Sequence, residues 1–380
     1  MGLLLAGVAA TPAQAQTIRE QQWHLDAMKA DDIWKISTGK GVTVAVIDSG
    51  VKRIPELEGQ VASGRNFAPA RYEGDERTDF NGHGTTMASI ISGNGKGPGG
   101  VESAFGLAPG AKILPLRVDL GGDGTAPFSA VIQAIRFAAD SDAKVLNISM
   151  GGINQSDELD SAVKYALDKG KLIFASVGND GNDDVIWPAA TPGVVGVAAV
   201  DAKGEAAKDS QHNRYVDVAA PGVDIVSGCD SGTGLCKSHG TSQAAALASA
   251  SAALLWSVHP DWTNNQILRV LLNTAGKPKD GAQRNDYVGY GVVRPRIAVP
   301  TPGDPGPADV YPLPDLAAAA SPSPAPGGTA APAPGKSAPQ AQAKKDDTGS
   351  ALPWIALGLG ACLIIGGAVT AVVIQQRSRR

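Results

Sequence analysis

Four residues of this chain could do chemistry together: Asp48, His83, Asn179 and Ser242. Ser242 stands in Ser238-His239-Gly240-Thr241-Ser242-Gln243-Ala244, where a loop gives way to a long small-residue segment, Ala244 to Trp256. A serine at a loop-to-helix junction exposes its hydroxyl close to helix N–H groups, which favour negative charge. That suits a nucleophile whose substrate develops an oxyanion, although the same triplet can serve as a plain helix cap. His83 lies in Asn81-Gly82-His83-Gly84-Thr85-Thr86, before the apolar Ile90-Ile91, and is expected in the first turn of a helix. The helix dipole there disfavours an imidazolium, and a general base must be neutral. Asp48 ends the run Val42 to Ile47, and Asn179 ends Lys171 to Val177. Alone, Asp48 reads as a common structural aspartate at a strand end, and Asn179-Asp-Gly as simple turn chemistry. Together they supply acyl-transfer catalysis. Ser242 attacks a carbonyl, His83 moves its proton, Asp48 orients His83, and Asn179 with the Ser242 N–H holds the oxyanion.

The elements that must position these groups alternate between strand and helix. Apolar runs at Val42–Ile47, Lys112–Val118, Lys144–Ser149, Lys171–Val177 and Val194–Val200 read as buried parallel strands. Helices are expected over about 127–139, 156–169, 244–258 and 263–274. Such alternation predicts an α/β fold, a mostly parallel sheet with helices on both faces. Sites in such sheets form outside the carboxyl ends of the strands, where Asp48 and Asn179 fall. The order Asp, His, Ser differs from that of an α/β-hydrolase, and Ser242 lacks a Gly-x-Ser-x-Gly setting, which disfavours a lipase or esterase.

The chain has 380 residues, 43% of them hydrophobic, with 47 glycines and a net charge of −4. That is enough for one large core, and no basic cluster in the body supports nucleic-acid binding. Residues 1–15 read as a signal peptide, with the small-x-small pattern Ala13-Gln14-Ala15. Residues 16–36 form an N-terminal extension, expected as a surface helix completing the core. The body is expected at 37–298 and a Pro/Ala-rich linker at 299–350. Residues 351–374 carry no charge and as a helix would span about 36 Å, against a hydrocarbon core of about 30 Å. The basic tail, 375–380, places the C-terminus in the cytoplasm and the body outside. Of three cysteines, Cys229 and Cys236 share a Gly/Ser-rich loop outside the membrane, where a disulfide would persist. A metal site adding His239 fits no common zinc spacing.

The motifs Val-Ile-Asp48-Ser-Gly, Gly-His83-Gly-Thr-Thr-Met-Ala and Gly-Thr-Ser242-Gln-Ala resemble those of the subtilisin-like serine proteases. Gly-Asn179-Asp-Gly is similar to that family's oxyanion segment. The resemblance covers about 37–298 and implies a subtilisin-like three-layer fold and a serine endopeptidase. It also implies that a peptide lies as an added strand along Gly121-Gly122 and Ser149-Met150-Gly151-Gly152. The pocket for the residue before the scissile bond would lie between Met150–Gly152 and Ser176–Gly178. No cofactor or metal is implied. Ala246 stands where the family usually has proline. The extension Gln22-Trp23-His24-Leu25, the linker, the single span and the basic tail make the chain similar to mycosins. These are membrane-anchored subtilases of type VII secretion systems, which implies secretion components as partners. The alternative reading is a protease-like scaffold that stabilises a membrane complex.

Overall fold

The computed structural model describes residues 16–118 and 128–320. The signal peptide, Gly121, Gly122, the linker beyond 320, the apolar segment 351–374 and the tail lie outside the described residues. Among the described residues no helix is long and apolar enough to cross a membrane.

Three short helices open the described residues: α1 (Ile18–Gln21), α2 (Trp23–Met28) and α3 (Ala30–Ile33). A single helix was the expectation; Lys29, at φ 59°, breaks it between α2 and α3. Leu25, Met28 and Ile33 are buried, so the extension completes the core as expected. Polar side chains fix its path. The Gln22 amide donates to Phe105 O and Val226 O and accepts from Phe105 N. Trp23 Nε1 donates to Val223 O and Trp34 Nε1 to Leu107 O.

Next come β1 (Thr43–Asp48), β2 (Arg65–Asn66), α4 (His83–Ser92), the hairpin β3 (Asn94–Lys96) and β4 (Glu102–Phe105), and β5 (Lys112–Arg117). The alternation then runs α5 (Phe128–Asp140), β6 (Val145–Ile148), α6 (Asp157–Asp168), β7 (Leu172–Ser176), β8 (Val194–Val200) and β9 (Val218–Pro221). A second hairpin, β10 (Ile225–Gly228) and β11 (Leu235–Ser238), leads to α7 (Thr241–Val258). It is followed by α8 (Asn264–Thr274), α9 (Pro295–Ala298) and α10 (Asp315–Ala320). Among the described residues the main sheet has seven strands in the order β2-β5-β1-β6-β7-β8-β9, and all its ladders are parallel.

Two apolar cores cover the two faces, giving three layers. One joins α4, α7 and α8 to the sheet; the other joins α5 and α6 to it. The strand β8 (Val-Val-Gly-Val-Ala-Ala-Val) is buried along its whole length, which is why it reads as an unbroken apolar run. Helix α7 is buried from Thr241 to Trp256. Its alanines and serines let the helix axis approach the strands closely.

Composition starts the linker at 299, yet residues 305–315 lie along α8. Arg269 donates to Pro305 O, Pro307 O and Val310 O, Gln266 to Gly306 O, and Thr263 and Asn265 to Ala308 O. Proline has no N–H to satisfy, so side-chain donors on α8 to the carbonyls suffice. Asp315 then accepts from Gly193 N at 2.6 Å, and Leu313 is buried.

His24 is buried, and that burial, with the nearby Arg19 charge, lowers its pKa to about 3. Unfolded, the imidazole titrates at its ordinary 6.5. Between those values the unfolded chain binds a proton that the native state refuses, so stability falls as pH drops through the window. The melting temperature, followed from pH 7 to 4, should therefore fall more steeply in the native protein than in His24→Gln. Equal slopes would show that His24 protonates freely in the folded state.

Candidate active site

Register brings the site together. Pairing of Ile47 with Ile148 and of Ile148 with Ala175 aligns the carboxyl ends of β1, β6 and β7. Asp48 closes β1 and is fully buried. Its Oδ1 accepts from Ser49 N (2.8 Å) and lies 2.7 Å from His83 Nδ1. His83 opens α4 after Gly82, as expected. Gly84 lets that helix approach the strand end: a Cβ there would stand 2.2 Å from Gly50 O.

A second carboxylate, Asp79, holds this corner from behind. It is fully buried. Its Oδ1 accepts from Ser49 Oγ and Gly82 N, and its Oδ2 from Thr85 N and Thr85 Oγ1. Asp79 thereby caps the start of α4 and joins it to the residue after Asp48. Sequence reasoning passed over Asp79, although an acid four residues before a histidine at a helix start is a readable signal.

The protonation expectation needs correction. A helix start alone would favour neutral imidazole, but the His83 pKa is raised. Burial works against the charged ring; the Asp48 charge and hydrogen bond, with the Asp79 charge, outweigh it.

Ser242 is the second residue of α7, behind Gly240 at φ 134°. Its Oγ donates to Ser149 O at 3.1 Å, and Ser149 Oγ donates back to Ser242 O at 3.1 Å. The resting hydroxyl is thus turned to the end of β6 rather than to His83. Behind this pair, Asn147 Nδ2 donates to Ser149 Oγ and Asn147 Oδ1 accepts from Ser249 Oγ. Asn147 is fully buried. A polar residue inside Val145-Leu146-Asn147-Ile148 is the sequence signal for this network.

Asn179 lies at the same edge. Its Oδ1 accepts from Thr241 N (2.8 Å) and Thr241 Oγ1 (2.9 Å). With the oxygen tied to the start of α7, the amide Nδ2 is the side left to donate. Gly178 N donates to Thr241 Oγ1, and Ser176 is buried at the end of β7. Met150 points into the core, 8% exposed. Gly152 pairs both its N–H and C=O with Trp187. Cys229 and Cys236 are bridged across the β10–β11 hairpin, leaving no thiolate pair for a metal. His239 lies instead near Asp209. Ala246, in place of proline, is buried within α7.

A carboxylate, an imidazole, a helix-start hydroxyl and a side-chain amide on the carboxyl edge of a covered parallel sheet are the parts of a serine hydrolase. Residues 39–291 match the subtilase family, and the chain belongs to that family. It is 38% identical over 229 residues to a thermophilic serine proteinase of Bacillus sp. (strain AK1), covering 58% of this chain and 55% of that protein. It is 35% identical over 239 residues to subtilisin BL of Lederbergia lenta, covering 63% and 84%. The chain thus spans about half the length of the first relative and most of the second. Among solved structures, MycP1 from the ESX-1 type VII secretion system matches with a TM-score of 0.67 at 27% identity, covering 80% of this chain and 93% of that one.

If unprotonated His83 is required for turnover, its raised pKa places the acid limb of the kcat/KM profile above the ordinary imidazole value. Asp79→Asn removes one of the charges that raise it, so the limb should move to lower pH while kcat falls. An unmoved limb would show that Asp79 acts on the fold alone.

Proposed function

We propose that this protein is a membrane-anchored serine endopeptidase, working from an Asp48–His83–Ser242 triad outside the cell membrane and beside a type VII secretion machinery. The observation that carries the catalytic reading is the 2.7 Å pairing of His83 Nδ1 with Asp48 Oδ1, at the strand edge that also holds Ser242. Rotation of the Ser242 side chain away from Ser149 O would free its hydroxyl for His83. His83 then takes the proton as Ser242 attacks the peptide carbonyl and returns it to the leaving amine. Asp48 steadies the imidazolium in between. The Ser242 N–H, in the first turn of α7 where N–H groups lack a partner within the helix, and Asn179 Nδ2 hold the oxyanion. A peptide lies along Ser149 to Gly151, and along Gly121 and Gly122, by strand addition. Similarity to MycP1 supports the secretion setting. The uncharged run 351–374 with its basic end supports a single span with the C-terminus in the cytoplasm.

Covalent labelling of Ser242 by a fluorophosphonate tests the centre. Labelling should vanish in Ser242→Ala, with kcat falling about 10⁶-fold, and Asn179→Leu should cost about 10²–10³-fold; both magnitudes are those measured on subtilisin. A folded protein that takes no label would move the reading to a scaffold for a membrane complex.

The anchor has its own test. Membranes carrying the full chain should retain it through alkaline carbonate washing, and a chain ending at 350 should be released. Equal release of both would rule out the span.

A further inference from the structure

A cavity of about 820 Å³ opens beside the segment that leads to His83. It is lined by Arg53, Arg77 and Lys96, with Glu58 on the rim and Ile54 and Val61 among its apolar walls. None of Asp48, His83, Asn179 or Ser242 lines it. Among the described residues none of these three cations is in an ion pair.

Arg77 is the informative one. Its guanidinium is half-buried and donates to Lys52 O at 3.3 Å, while its Nε is buried and has no partner among the described residues. Burial first, and then the charge of Arg53 close by, lower its pKa, with Glu76 and Asp75 acting the other way. Two neighbouring guanidiniums, one with an unsatisfied donor, carry a free-energy cost until an anion joins them. Paired donors of this kind match the two oxygens of a carboxylate.

We propose that this pocket binds an acidic peptide segment, one carboxylate resting between Arg53 and Arg77 and another near Lys96. The volume far exceeds a small oxyanion, and the apolar walls accept the side chains between the acids. Among the described residues β3, which carries Lys96, belongs to a two-stranded sheet and has one edge without a strand, suited to extended backbone. Glu58 on the rim repels a continuous anionic surface such as a membrane, whereas a peptide can place its charges away from it. Arg77 is two residues from Asp79, so an occupant would also hold the turn that caps α4.

The test is fluorescence anisotropy on the full chain with a labelled peptide of alternating Glu and Leu, beside its Gln-and-Leu counterpart. Inorganic phosphate and phosphatidylglycerol vesicles serve as competitors. The acidic peptide should bind, more weakly as salt is raised, and the neutral one should not. Arg53→Gln and Arg77→Gln should each weaken binding about tenfold or more. Arg53 and Lys96 are exposed, so Arg53→Gln and Lys96→Gln keep the test valid if Arg77→Gln fails to fold. Absent binding, equal binding of both peptides, or unchanged affinity in the Arg53→Gln variant would overturn the proposal. Phosphate binding without peptide binding would reduce the site to a plain oxyanion pocket, and vesicle binding without peptide binding would make it a membrane contact; either result overturns it as well.

Discussion

The rest of the molecule depends on the close packing of α7 against the middle of the sheet. A helix buried on every side must be apolar or small throughout, and α7 meets that condition mostly with alanines and serines, its large apolar residues being Leu247 and, near its end, Leu254, Leu255 and Trp256. The short distance this allows brings the helix start level with the carboxyl ends of β6 and β7. Ser242 and the Thr241 N–H that fixes Asn179 are therefore placed by core packing and not by loop conformation. Larger residues along α7 would push the helix start away from Ser149 and Asn179 together, because both are held to the same turn.

The electrostatics of the opposite corner follow from burial. Asp48 and Asp79 are both withdrawn from water; N–H groups and hydroxyls bond both oxygens of Asp79, whereas Asp48 is bonded through Oδ1 and its Oδ2 has no partner among the described residues. Ser49 lies between the two, its N–H bonded to one carboxylate and its hydroxyl to the other. The imidazole facing this pair feels more negative charge than a lone helix start would supply positive potential. The direction of its pKa shift is therefore opposite to that expected from its position on the helix.

Much of this was legible in the chain. Parallel strands buried on both faces appear as unbroken apolar runs, so β1, β5, β6, β7 and β8 could be read almost to the residue. The residues gathered at their carboxyl ends followed from three short motifs. What escaped was long-range or satisfied by carbonyls. One partner of Asn147, Ser249, lies on α7 and joins β6 to that helix, and spacing gives no hint of it. The proline-rich segment after α9 reads as a linker because it has no apolar periodicity. Its attachment comes from donors on α8 reaching its carbonyls, and almost any sequence offers carbonyls. The extension was read as one helix because its apolar spacing is helical across Lys29, where the backbone turns.

The segment that crosses α8 ends its grip at Gly193, immediately before β8, at the amino end of the strands. That bond lies on the side of the sheet away from the edge that carries Ser242. Tension applied to the chain beyond Ala320 would load the Asp315–Gly193 bond and then the row of carbonyls held by Arg269 and Gln266. These bonds would part in sequence, like a seam opened from one end. The strand ends that hold Asp48, Ser149 and Asn179 in register would carry none of that load until the seam was spent.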